Sequence, residues 1–149
     1  MIATTEESLT ELFTDAIIAL TPRLTFKGGE LWKAYNREVS GPSTTRRFRL
    51  VWEAGNIFPG GAMAGDVFEH AALLRVRTDY AGEHAAQQHI MIDDFHQLGD
   101  ALTATKATDN GVMLVTRLRV EERVGNTDDT DVVQIDHVYQ VRFMRRIQL

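Results

Sequence analysis

No cysteine occurs anywhere in the 149 residues. Disulfide staples, thiolate metal sites and a cysteine nucleophile are therefore excluded, and the composition suits a reducing compartment. Residues 1–20 hold Glu6, Glu7, Glu11 and Asp15 but no lysine or arginine, so the positive segment of a secretion signal is missing there. No uncharged apolar run approaches the roughly 18 residues of a membrane span. Positive charge is also in short supply: 16 Lys and Arg against 21 Asp and Glu give a net charge of −5, leaving no global basic field for gripping nucleic acid. What remains is a chain of one-domain size, 1–149, long enough to bury roughly 70% of its unfolded surface without staples.

Leu9, Leu12, Phe13, Ala16, Ile17 and Leu20 fall on one face of a helix. Thr4 with Glu7 predicts a capping box and Pro22 a stop, which places this helix at about residues 5–20. Over residues 47–53, Phe48, Leu50 and Trp52 alternate with Arg47, Arg49 and Val51, the pattern of a half-buried strand. Residues 56–66 are rich in glycine and read as a mobile loop. From 68 to 80, Ala72, Leu74, Val76, Thr78 and Tyr80 alternate with Arg75, Arg77 and Asp79, giving a strand with one wet face. A second helix is expected over about 83–104, with Met91, Phe95, Leu98 and Leu102 inward and Ile92 widening the stripe. Gln87, Asp94, Gln97 and Asp100 fall outside that stripe, and Asn110-Gly111 breaks the chain.

Two long strands close the sequence. Leu114, Thr116, Leu118 and Val120 alternate with Arg117, Arg119 and Glu121; Val133, Ile135, Tyr139, Val141 and Phe143 alternate with Gln134, Asp136, Gln140 and Arg142. Residues 125–129 supply the turn of a hairpin with an acidic tip. The expected fold class is α+β, a mainly antiparallel sheet of about four to five strands covered by two helices. At ~3.3 Å per residue the strand over 112–124 spans about 40 Å, against about 30 Å for the second helix. The hairpin therefore overhangs its cover and is expected to pack on another subunit.

Candidate chemistry is sparse. His89, Asp93 and His96 share a helical face, but no fourth ligand can be placed and the spacing is not that of His-Glu-x-x-His, so a solvated or subunit-facing helix edge competes with a metal site. His137 falls in the inward register of the last strand, as a core or rim histidine would. Asp93-Asp94 and Asp128-Asp129 are poorly set for acid/base work, since adjacent helical residues point about 100° apart and the second pair sits in a turn. Asp128, Asp129 and Asp131 lack the glycine and twelfth-position glutamate of a calcium loop. The glycines at 60–65 lack the Gly-Lys-Ser/Thr ending of a phosphate cradle and precede a strand. Arginines at 46, 47, 49, 75, 77, 117, 119, 142, 145 and 146 are spread over four strands and make a basic face, with Glu53, Asp79, Glu121 and Asp136 as partners in the same sheet.

The run LLRVRTDYAG, the helix HIMIDDFHQLGDAL and the strand DVVQIDHVYQVRF, in this order behind an N-terminal amphipathic helix, resemble the tail terminator and tail-completion proteins of long-tailed bacteriophages. The resemblance implies a non-enzymatic virion protein at the head-proximal end of the tail, assembled in the host cytoplasm without cofactor, metal or membrane. It implies a homo-oligomeric ring, often of six subunits, that caps the tail tube protein, ends polymerisation and meets the head–tail connector protein while DNA passes through. An acidic tip at Asp128, Asp129 and Asp131 facing such a channel would repel phosphates. The residues themselves suggest interfaces at Phe58, Met63, Arg75, Arg77, Glu121, Arg123, Asp128, Arg145 and Arg146. The alternatives are another head-to-tail connector or neck protein, and a small enzyme or ligand-binding domain using His89, Asp93, His96 or His137.

Overall fold

Two helical stripes and four stretches of period-two alternation divide the chain into the elements that form. The computed structural model describes residues 3–23, 33–34, 46–81, 88–105, 111–123 and 132–147. They comprise α1 (Glu6–Ile18), β1 (Lys33–Ala34), β2 (Arg46–Ile57), β3 (Met63–Ala64), β4 (Val67–Ala81), α2 (Gln88–Ala104), β5 (Val112–Arg123) and β6 (Val132–Arg146). The sheet runs β1-β2-β4-β6-β5, with β3 paired to β4. Every pairing is antiparallel except the short parallel contact of β1 with β2. The architecture is therefore α+β, a mainly antiparallel sheet with both helices on one face, and neither helix is long and apolar enough to cross a membrane.

β4 is the central strand, and its even positions are mostly apolar, with His70 and Thr78 the polar exceptions. Ala72, Leu74, Val76 and Tyr80 meet Leu9, Phe13 and Ile17 of α1, Leu98 and Leu102 of α2, and Tyr139, Val141 and Phe143 of β6 in one core. Trp52 sits between Phe13 and Phe143, with ring centroids 6.4 and 6.3 Å away, and its Nε1–H donates to Thr10 Oγ1 at 2.6 Å. A buried indole N–H needs such a partner, and here α1 supplies it from its sheet-facing side.

Several expectations are corrected. Thr5, not Thr4, caps α1, its Oγ1 accepting from the Ser8 N–H at 3.2 Å. The Thr4 N–H is engaged elsewhere, donating to the Met144 carbonyl at 2.7 Å and tying the chain start to β6. Asp94 is buried in place of lying outside, because the Tyr80 hydroxyl reaches up to donate to it at 3.2 Å, whereas Ile92 points to solvent. Residues 56–66 are no free loop. β2 continues to Ile57 and the turn is closed by Phe58 N–H to Glu69 O, Gly61 N–H to Phe58 O and Glu69 N–H to Ala62 O, at 2.8–3.0 Å. Those bonds offset the entropy lost by its glycines, and Gly60 and Gly65 take the positive φ the reversal requires.

β5 departs most from its pattern. Register shifts at Met113 and Leu118 insert an extra residue twice, so Val115 and Arg117 turn toward the helices while Leu114, Leu118 and Val120 are exposed. The strand and its hairpin with β6 form as expected, but residues 124–131, which include Asp128, Asp129 and Asp131, lie outside the described residues. The odd face of β4 is also less wet than its charges suggest, since Glu69 and Asp79 are buried.

β2 has its own irregularity between Glu53 and Asn56, where Gly55 passes tightly over β4. A Cβ there would stand 2.7 Å from the Ala71 carbonyl oxygen and 2.8 Å from the Ala72 Cβ. Both neighbours belong to the central strand and cannot yield. Gly55→Ala is expected to lower stability by about 1–3 kcal/mol in chemical denaturation, with the change confined to the 54–58 and 71–72 amides in hydrogen exchange.

Candidate functional site

With both helices on one side, the other face of the sheet is closed by its own side chains. Cross-strand register sets them in level rows: Arg49, Arg77, Asp136 and Glu121, then Val51, Arg75, Val138 and Arg119, then Glu53, Leu73, Gln140 and Thr116. Arg75 stands at the middle. Its guanidinium donates to Glu53 Oε1 at 2.5 Å, to Glu121 Oε2 at 2.7 Å and to Asp136 Oδ2 at 3.3 Å. Arg77 donates to the same Asp136 oxygen at 3.4 Å, and Arg119 to Glu121 at 2.6 Å. One row further, Arg142 donates to Glu69 at 2.6 Å and lies 3.9 Å over the ring of Phe58. These long side chains, lying flat, leave Val138 fully buried and Asp136 only 1% exposed.

The electrostatics follow from the contacts. Glu121, then Glu53, hold the Arg75 proton more tightly than usual. Arg119 and then Arg75 hold the Glu121 carboxyl down at about 2. Burial pushes Asp79 upward, opposed by the charge of Arg47. Glu53, Glu69, Glu121 and Asp136 each accept from an arginine. Such a face holds its shape through charge-assisted hydrogen bonds between strands.

A second polar group sits under α2. Gly99 lacks the Cβ that would strike the Arg117 guanidinium, which therefore reaches in to lie 4.1 Å over Phe95. Phe95 stacks on His137 at 5.9 Å, and a His137 ring nitrogen stands 3.4 Å from Thr78 Oγ1. His137 Nδ1 and the Tyr139 hydroxyl find no hydrogen-bond partner among the described residues. Burial pushes Tyr139 up to about 12. Burial first, and the Arg117 charge second, depress His137 to about 4, so this ring is neutral near pH 7.

The expected histidine face does not converge. His89 and His96 are exposed, and Asp93 is held by Arg23 at 3.1 Å. Among the described residues no three His, Cys, Asp or Glu side chains come together as metal ligands would. An open cleft of about 710 Å³ at the start of α1 is lined by Thr4, Thr5, Ser8, Arg145 and Arg146. Its arginines are engaged, Arg145 with Glu6 at 3.5 Å and Arg146 with Asp66 at 3.3 Å. No protein-family model matches this chain, and no curated protein matches it significantly.

Of the interface candidates, Arg75, Arg77 and Glu121 are brought together in the lattice, and Phe58 joins its margin through Arg142. Met63 projects from β3 at 64% exposure, while Arg145 and Arg146 stand at the far end of β6. The Arg123 side chain and Asp128 lie outside the described residues. Glu69 was missed; its signal is an odd position on β4, facing the same way as Arg75 and Arg77.

Two measurements test these arrangements. Arg75→Met leaves the buried Asp136 with much of its compensation removed and is expected to cost roughly 3–5 kcal/mol in denaturant titrations. For His137, the unfolded ring titrates near 6.5 and the folded one at about 4. Between those values the unfolded state binds more protons, so stability falls as pH is lowered, by a total on the order of 3 kcal/mol. His137→Leu is expected to flatten the slope between pH 6.5 and 5, where ordinary carboxylates contribute little.

Proposed function

We propose that the protein is a structural subunit that works by self-assembly, as a phage tail terminator or a related tail-completion protein. The observation that carries this reading is β5. It is the last strand of the sheet, 12 residues long, and its outer edge pairs with no described strand. Met113, Leu114, Leu118 and Val120, all on this strand, are four of the seven large hydrophobic residues exposed among the described residues. A long, apolar sheet edge is what free-standing proteins avoid and subunits use. The arginine–carboxylate lattice adds a rigid face beside that edge, and the resemblance in 73–82, 89–102 and 131–143 supplies the kind of assembly. In that role a ring of copies caps the tail tube, ends its growth and presents a surface to the head connector.

Native mass spectrometry and light scattering across concentration, with negative-stain imaging, test the reading. The expected result is a closed oligomer or a ring formed on added tail tubes, with Leu118→Asp lowering the association constant at least tenfold while the thermal midpoint holds. A strict monomer that also fails to bind tail tubes overturns it. A ring that binds the head connector and ignores tubes moves the role to the neck.

A further inference from the structure

Among the described residues the sheet has two open edges, not one. At one side β5 is paired to β6 alone; at the other, β1 covers β2 only opposite Arg47 and Phe48, so residues 49–57 of β2 pair with β4 and with no other described strand. The directions of these edges are fixed by parity. β2 is antiparallel to β4, β4 to β6 and β6 to β5, so β5 runs opposite to β2. Copies set side by side, with their strands upright and the same face outward, therefore bring β5 of one antiparallel to β2 of the next. An odd number of long strands would have made that seam parallel.

We propose that the occupant of the β5 edge is the β2 edge of a second copy, so that one antiparallel sheet runs unbroken from subunit to subunit. This rests on the self-assembly reading above and says how the copies join. Side chains at the seam match. With the rows kept level, Val120 lies beside Leu50 of the neighbour, Glu121 beside Arg49, Arg117 beside Trp52, and Val112 beside Ile57. Over residues 112–121 of β5 no like charges face one another, the next charged row, Arg123 with Arg47, lying where β1 already covers β2, and the exposed Val120 and Ile57 both gain cover. A stagger of two residues sets Arg119 beside Glu53 and keeps the faces in register, since strand side chains alternate with period two. By contrast, a two-fold β5–β5 seam centred on Leu118 sets Arg117 against Arg119 twice. The seam is heterologous, so it closes into a ring when the rotation between copies permits and otherwise extends as a filament.

The absence of cysteine makes the test clean. Directly opposed residues of antiparallel strands have Cα atoms roughly 4.5–5.5 Å apart, inside the range a disulfide spans. Arg49→Cys and Glu121→Cys proteins are mixed and mildly oxidised. A second pair, Leu50→Cys with Val120→Cys, leaves the ion pairs intact should the first disturb the fold. The expected result is a disulfide joining the two different variants in most of the assembled protein, and covalent ladders up to the native mass when both cysteines share one chain. Oligomers that form normally but cross-link through neither pair overturn the seam and leave self-assembly standing. Dimers from Leu118→Cys alone, with neither mixed pair cross-linking, overturn it in favour of the two-fold arrangement. Monomers without cross-links overturn both readings.

Discussion

Two helices can cover only one face of a five-strand sheet, and the rest of this structure follows from how the other face is closed. With no third layer among the described residues, the strands must bury their own centre, and short apolar side chains cannot do so from within one plane. Arginine can, because a long aliphatic stem lies along the sheet while its planar head reaches two or three carboxylates. Arg75 therefore ties β2, β5 and β6 together from its place on β4, and Val138 disappears beneath the same layer. Desolvating charges is costly, and a network of this kind is stable only when each member is satisfied. That requirement holds the register of four strands at once, since a slip of one residue would carry Arg75 to the helix side.

The edge of the sheet is shaped by the same economy of layers. Bulges at Met113 and Leu118 let a single strand serve both sides: Val115 and Arg117 turn inward under α2, and the residues between them turn out. Gly99 admits Arg117 beneath the helix, where Phe95 receives it and presses on His137. A neutral histidine, and a tyrosine hydroxyl with no partner among the described residues, are thus enclosed beside a cation. The apolar side chains left outside are the observation on which the proposed self-assembly rests.

Much of the fold was legible where one face of an element is uniform. Leu9, Phe13 and Ile17, the even positions of β4 and the inward residues of β6 all sit where their periodicity puts them. The antiparallel hairpin and the cross-paired arginine face were legible for the same reason. Periodicity failed where backbone geometry interrupts it. The two bulges reversed β5, and the glycines of 56–66 concealed a hydrogen-bonded turn behind a composition that usually means a loop. Other misses depend on partners far away in sequence. Asp94 is buried because Tyr80 waits beneath it, and Asp93 is occupied by an arginine 70 residues distant, neither of which any local spacing contains. The lattice arginines were legible as a group, but that Arg75 alone would bridge three carboxylates depends on which strand lies in the middle.

The pairing of β4 with β6 has a mechanical side. The two strands oppose each other along all 15 residues of each, from Val67 beside Arg146 to Ala81 beside Val132. A pull along the strand axis loads that whole ladder in shear, with every rung resisting together, whereas a pull across it would peel the rungs one by one. The molecule is therefore stiff along one direction and weak along the perpendicular one. A protein built this way tolerates tension parallel to its strands far better than tension across them, so the direction of a pull decides how much force it can carry.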